Sequence, residues 1–296
     1  MHYVIGDVHG CLDELELLID KIQIQDIDAT FLFVGDWTDR GPKVWDTLKW
    51  VANNITPDGR FQSVRGNHDQ YILEWYKSDY GIWLKTDRNR SIPDTYYGLN
   101  NIAETHMDEL QVIEDYVHTV EAMPFNKAIK IGNTTFRICH AWHSNQLEGR
   151  DLNEVNIHQQ IFNGNYENDE VIVHGHTPTF EPSFNAHNEN DRPGMICYRH
   201  NAINIDGGCC FFKTHFKYVC MLSAVCLETL EEFYPYGVDE RLMQGINSFM
   251  RVAEKNMTPE DALLYKQEMF SMNKSRYINK LEMDLYRKEL LSKISG

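Results

Sequence analysis

Phe31-Leu32-Phe33-Val34-Gly35-Asp36-Trp37-Thr38-Asp39-Arg40-Gly41 is the stretch on which the reading of this chain turns. An apolar run closed by glycine reads as a buried strand ending in a turn. The turn then delivers two carboxylates and a guanidinium. Asp36, first off the strand, can bridge two cations because a carboxylate offers two oxygens. Arg40 carries a planar fork of donors that matches a phosphoryl group.

The same device recurs on both sides. Upstream, the strand His2-Tyr3-Val4-Ile5 runs into Gly6-Asp7-Val8-His9-Gly10, and Leu12, Leu15, Leu18, Ile19 and Ile22 then mark a helix over 11–22. After the Asp36 turn, a helix is expected from Pro42, a residue suited to a first helical turn. A third strand, Phe61 to Val64, leads into Arg65-Gly66-Asn67-His68-Asp69 and a helix through Tyr76. Strand, polar turn and helix in succession predict an α/β fold whose first half is parallel.

Residues 78–121 break this rhythm and read as a helical insert, with helical stretches near 101–107 and 109–120. Ala128–Ile131 and Thr134–Cys139 around Gly132-Asn133 read as a hairpin ending at His140. A helical passage near 154–162 precedes the strand Val171–Val173, which runs into His174-Gly175-His176-Thr177. A polar loop spans 181–193, and Ile203–Ile205 leads to Asp206. Tyr218–Leu222 and Val225–Leu230 read as closing strands. From Asp239 the pattern is helical, with Leu281, Leu285, Leu290 and Leu291 as its packing stripe.

With 296 residues the chain can bury a full core, and 42% hydrophobic with 24% charged residues is ordinary globular composition. A formal net charge of -16 argues against a nucleic-acid or anionic-membrane surface, both of which need clustered cations. It leaves room for a phosphorylated substrate, because bound cations invert the local sign. Seven cysteines without a Cys-x-x-Cys pair read as reduced, partly buried thiols. No basic leader and no apolar run of membrane-spanning length stands in the sequence, so a cytoplasmic protein is expected.

Asp7, His9, Asp36, Asp39, Asn67, His68, His140, His174, His176 and Asp206 all fall at strand ends, which in an open sheet converge on one edge. Carboxylate, imidazole and amide oxygen without thiolate suit Mn, Fe or Zn. The donors outnumber one tetrahedral site, whereas two ions sharing a carboxylate would use them all.

Gly6-Asp7-Val8-His9-Gly10, Gly35-Asp36-Trp37-Thr38-Asp39-Arg40-Gly41, Gly66-Asn67-His68-Asp69, His140 after a strand, and Gly175-His176-Thr177 together resemble the phosphoprotein phosphatase branch of the calcineurin-like metallophosphoesterases. The resemblance covers roughly residues 1–232, leaving 233–296 as a helical extension. It implies two packed mixed β-sheets flanked by helices and a pair of divalent ions, manganese foremost, with Fe or Zn as alternatives. Asp7, His9 and Asp36 would hold one ion, and Asp36, Asn67, His140 and His176 the other. A hydroxide between the ions would attack phosphorus. His68 would protonate the leaving oxygen, Asp39 would orient His68, and Arg40 and Arg65 would clamp the phosphoryl oxygens.

The chain also departs from that pattern. Asp69 stands where the protein phosphatases of the branch carry Glu, and no further phosphate-binding arginine follows the fourth motif unless Arg150 replaces it. Trp142 follows His140-Ala141 where small residues are usual. His174 is expected to support the site and Asp206 to serve as a turn residue. The resemblance implies a phosphoserine or phosphothreonine phosphatase. A hydrolase of nucleotide anhydrides such as diadenosine tetraphosphate is the alternative, with aromatic residues to stack adenine, and a non-catalytic phosphate-binding module is a lesser one.

Overall fold

The computed structural model describes residues 1–77, 107–141, 170–181, 192–199, 201–215, 217–277 and 281–295. The expected helices near 101–107 (all but Met107) and 154–162, most of the 181–193 loop, and Trp142 and Arg150 lie outside the described residues.

The chain runs β1 (His2–Ile5), α1 (Leu12–Gln25), β2 (Thr30–Phe33), α2 (Val44–Asn54), β3 (Phe61–Ser63), α3 (Asn67–Lys77) and α4 (Met107–Ala122). The hairpin β4 (Asn126–Ile131) and β5 (Thr134–Cys139) follows, then β6 (Glu170–His174), β7 (Cys197–Arg199), β8 (Ala202–Asn204), β9 (Ala224–Cys226) and β10 (Glu232–Phe233). Helices α5 (Val238–Ala253), α6 (Pro259–Lys274) and α7 (Leu281–Ser295) close the chain.

The strands form two five-stranded mixed sheets, ordered β10-β9-β1-β2-β3 and β4-β5-β6-β8-β7. β1, β2 and β3 are parallel, as the repeated strand-turn-helix unit requires, while β9 and β10 close that sheet antiparallel. Side chains alternate across each strand, so a single strand supplies two cores. Val4 and Leu32 face the second sheet and pack with Phe136, Val171, Ile203 and Val225. Tyr3, Ile5, Phe31 and Phe33 face the other way, onto Leu15 and Leu18 of α1, Val51 of α2 and Trp75 of α3. The apolar stripe of α1 is thus buried as its helical period predicts.

Several expectations shift. Tyr218–Leu222 is not a strand. It runs as irregular backbone, with the Arg241 side chain bonded to the Val219 and Cys220 carbonyls in place of a strand partner. The expected strand 225–230 ends at Cys226, where the chain turns back through Leu230, a residue at φ 52°. α2 begins at Val44 instead of Pro42. On α7, Leu290 is buried against the inter-sheet core, but Leu285 is 64% exposed and lies off the packing stripe. No described helix is long and apolar enough to cross a membrane.

Candidate metal centre

Parallel strands β1, β2 and β3, with β5, β6 and β8 of the second sheet, deliver their following turns to one edge. There the backbones lock together. The amides of Val8 and His9 donate to the Asp36 carbonyl at 3.2 and 2.9 Å, Gly10 donates to Trp37 at 2.9 Å, and Gly175 donates to His140 at 3.0 Å. Glycine is required at two of these approaches. A Cβ on Gly66 would overlap Oδ1 of Asp36, and one on Gly175 would overlap Oδ1 of Asp7. The backbone is also held in the left-handed region at His9 (φ 42°), Asp36 (56°), Asp39 (70°), Arg40 (69°) and His176 (73°). Such conformations cost non-glycine residues roughly 1–2 kcal/mol each and persist where surrounding structure over-determines them.

Asp36 is the centre. Its Oδ1 accepts the His68 amide at 2.9 Å, so Oδ2 is the oxygen left to share. That atom lies 3.3 Å from Nε2 of His140, 3.4 Å from Nε2 of His9 and 3.9 Å from Nε2 of His68. Two groups of metal-competent side chains therefore meet on one carboxylate: His9, Asp36 and His68 in one, Asp36, His140 and His176 in the other. Bridging through both Asp36 oxygens, the expectation from sequence, meets a competitor: the His68 amide claims one of them.

The imidazoles are fixed by their remote nitrogens. Nδ1 of His9 donates to the Thr38 carbonyl at 2.7 Å and Nδ1 of His140 to the Val34 carbonyl at 2.9 Å, which turns each Nε2 lone pair inward. Oδ1 of Asn67 joins the second group, 2.8 Å from Nε2 of His140 and 3.0 Å from Nδ1 of His176. Asp7 is buried beside His176, whose amide donates to its Oδ2 at 3.0 Å.

The electrostatics fit a cation. Burial, reinforced by Asp206, pushes the Asp7 carboxyl well up, and burial raises Asp206 to about 6. Burial would raise Asp36 too, but the His140 and His68 imidazoles outweigh it and hold that carboxylate well below its usual range. Burial and Arg40 keep His9 well below its usual value, and burial and His140 take His176 down to about 3, so both offer lone pairs. His140 goes the other way. Burial lowers it, yet the Asp36 and Asp7 carboxylates prevail and push it to about 10, so a bound metal must displace its proton. Buried carboxyl groups crowded this closely, with the neutral imidazoles of His9 and His176 and the displaceable proton of His140 between them, are a donor set for divalent ions.

His68 stands apart in its support, because its Nδ1 lies 2.5 Å from Oδ2 of the fully buried Asp39. Arg40 crosses the mouth, with Nη1 2.8 Å from Nε2 of His9 and Nη2 3.0 Å from Nε2 of His68. Its guanidinium rests 5.4 Å from the ring centre of Phe211, which the sequence reading did not single out.

Arg65 departs from its expected role. Its Nε donates to the Val120 carbonyl and its Nη2 to the Glu121 and Met123 carbonyls, its Nη1 binds Gln70, and the guanidinium lies over Phe125. The fork that would grip phosphate instead ties the third turn to the end of α4. Asp206 is a turn residue as expected, its Oδ1 accepting the Gly208 amide at 2.8 Å. His174 is buried with Nδ1 3.1 Å from the Gly175 carbonyl.

Asp69 has an organising role that its position as a departure from the family pattern did not disclose. Its Oδ1 accepts the Trp37 amide at 3.0 Å and the Tyr116 hydroxyl at 2.8 Å, and its Oδ2 accepts the Asp36 amide at 3.0 Å and the Gly66 amide at 2.8 Å. One carboxylate thereby clamps the second and third turns together, with α4 reaching in from behind. Tyr116 lies too far along the chain from Asp69 for any motif to pair them.

This arrangement defines a metal-dependent phosphoesterase, a hydrolase built on a carboxylate shared by two imidazole-rich donor groups. The chain belongs to the calcineurin-like phosphoesterase family, whose model matches residues 3–206. It is 26% identical over 231 residues, 70% of this chain and 85% of the relative, to the asymmetrical bis(5'-nucleosyl)-tetraphosphatase PrpE of Halalkalibacterium halodurans. A shorter match, 43% identical over 72 residues, joins 24% of this chain to 25% of the symmetrical bis(5'-nucleosyl)-tetraphosphatase of Neisseria gonorrhoeae. Among solved structures it is similar to a metallophosphoesterase from Sphaerobacter thermophilus, at 14% identity and a TM-score of 0.42 over 90% of this chain and 98% of that one.

Proposed function

We propose that the chain is a dinuclear-metal hydrolase of nucleotide anhydrides of the bis(5'-nucleosyl) tetraphosphate class. The observation that carries the metal chemistry is Oδ2 of Asp36, faced by Nε2 atoms from both donor groups. The substrate class is supported by relatives of that printed activity aligned over most of both chains. A phosphoserine or phosphothreonine substrate, the first expectation from sequence, rests on the family alone.

Asp7, His9 and Asp36 would hold one ion, and Asp36, Asn67, His140 and His176 the other. Manganese is proposed first, with Fe or Zn as alternatives of the same donor preference. When bound, such a pair lowers the pKa of water toward neutrality and withdraws charge from phosphoryl oxygens. Arg40 carries the fork of donors for a non-bridging phosphoryl oxygen at the mouth of the site. Asp39, accepting from Nδ1 of His68, fixes that ring with Nε2 toward the site and would stabilise the imidazolium form, from which Nε2 would deliver a proton to the leaving oxygen. We further propose a unit over 1–232 with the 233–296 helices docked on it, and a cytoplasmic location in keeping with seven free cysteines.

The test supplies Mn²⁺ and compares kcat/KM on diadenosine tetraphosphate with that on a phosphothreonine peptide. Preference for the dinucleotide by at least about a hundredfold, some 2.7 kcal/mol of differential transition-state binding, is expected. Equal or greater activity on the peptide would reverse the assignment.

A further inference from the structure

A cavity of about 560 Å³ lies on the far side of the Arg40–Pro42 turn, between the start of α1, the Phe212-Lys213 turn and α5. Its lining adjoins the metal centre along the chain: Pro42 lies two residues from Arg40, and Phe212 follows Phe211, on whose ring Arg40 rests. The volume is that of a small-ligand site.

Its ionic groups do not balance. Glu14 is paired with Arg241, and Asp13 binds Lys43 at 2.5 Å. Among the described residues, Lys213 and Arg251 line the cavity without a carboxylate partner. In a chain of net charge -16, two such cations at one cavity favour an anion. Two aromatic rings and a guanidinium meet in the cavity lining. The guanidinium of Arg241, buried and bonded to the Val219 and Cys220 carbonyls, lies 4.0 Å from the ring centre of Phe212 and 5.2 Å from that of Tyr236. Aromatic rings and a guanidinium plane together form a surface on which a nucleobase stacks. Asn247 and Ser248 on α5 add donors and acceptors at the rim.

We propose that this cavity is a nucleotide subsite, in which the aromatic lining takes the base and Lys213 and Arg251 take the phosphates of the substrate end remote from the metal centre. The role as a substrate subsite rests on the function proposed above. Phe212, Lys213, Tyr236, Asn247, Ser248 and Arg251 all lie beyond the 3–206 span of the family match, so the aromatic and cationic groups that would recognise the nucleotide come from this chain's C-terminal part, against a wall of Cys11, Asp13, Glu14 and Pro42 from within that span.

The test uses the full chain and the double substitution Lys213→Ala with Arg251→Ala. Two readouts are taken: the Kd of ADP by calorimetry, and the ratio of kcat/KM for diadenosine tetraphosphate to that for p-nitrophenyl phosphate. The ratio cancels any general loss of folded enzyme. The proposal predicts a Kd raised about tenfold or more and a ratio lowered to match, with the loss carried by KM. An unchanged Kd with an unchanged ratio would overturn it. A wild-type enzyme that leaves diadenosine tetraphosphate intact, yet whose ADP binding falls tenfold on substitution, would refute the proposed function while leaving the cavity a nucleotide site.

Discussion

Replacing Asp69 by Asn keeps the size of the side chain and removes its charge, which isolates what that carboxylate does. Each of its oxygens accepts two hydrogen bonds, from the Trp37 amide and Tyr116 hydroxyl on one side and the Asp36 and Gly66 amides on the other. Burial pushes this carboxyl up and Asp36 adds to it, while the Trp37 and Gly66 amides and the Tyr116 hydroxyl oppose both. An asparagine retains one acceptor oxygen and turns an NH2 group toward two donors. Two charge-assisted bonds are lost, at about 1.5–3 kcal/mol each, so the change should cost roughly 3–6 kcal/mol. That is a large part of a typical stability of about 5–15 kcal/mol. Because one lost partner is the Asp36 amide itself, the bridging carboxylate should also lose its alignment. Denaturant unfolding and metal content per chain read the two effects separately. Tyr116→Phe, which removes one bond and no charge, should cost about 1.5 kcal/mol and retain metal. If Asp69→Asn unfolds at the wild-type midpoint with full metal content, the clamp assigned to Asp69 does not exist.

His68→Asn should retain metal and lose about 10²–10⁴-fold in kcat on an alkyl phosphate, the usual worth of a general acid. The loss should be smaller on p-nitrophenyl phosphate, whose leaving oxygen needs no proton; equal losses on both would remove His68 from proton transfer. Burial raises the Glu228 carboxyl, but hydrogen bonds from the His2 ring and amide outweigh it and hold it below its ordinary value. A depressed carboxylate stabilises the fold fully above its unfolded pKa and stops doing so as pH falls through the folded one. Glu228→Gln should therefore lower Tm near pH 7 and match the wild type once pH has fallen through the folded-state pKa of Glu228, and a gap that persists in strong acid would contradict the pairing.

Much of the fold was legible in the sequence, because β1, β2 and β3 each run into a polar, glycine-bearing turn followed by a helix, and parallel strands have no choice but to send those turns to one edge. The positions of Asp36 and Asn67 follow from that geometry, and those of His140 and His176 from the same arrangement of the parallel β5 and β6 in the second sheet. Other features rest on contacts that no period encodes. Tyr218–Leu222 is apolar enough to read as a strand, yet its carbonyls are satisfied by Arg241 from α5. Arg65 sits in a motif that suggests phosphate, but the end of α4 offers its guanidinium three carbonyls. Asp69 looked like a shortened glutamate; its function emerges only when the second turn and Tyr116 are seen to converge on it.

The shared carboxylate is tested most directly by counting ions. Protein loaded with Mn²⁺ and freed of excess should hold two ions per chain, and Asp36→Ala should fall below one, because both donor groups lose a ligand in the same substitution. A wild-type protein that saturates at one ion, or an Asp36→Ala protein that still holds two, would contradict the account.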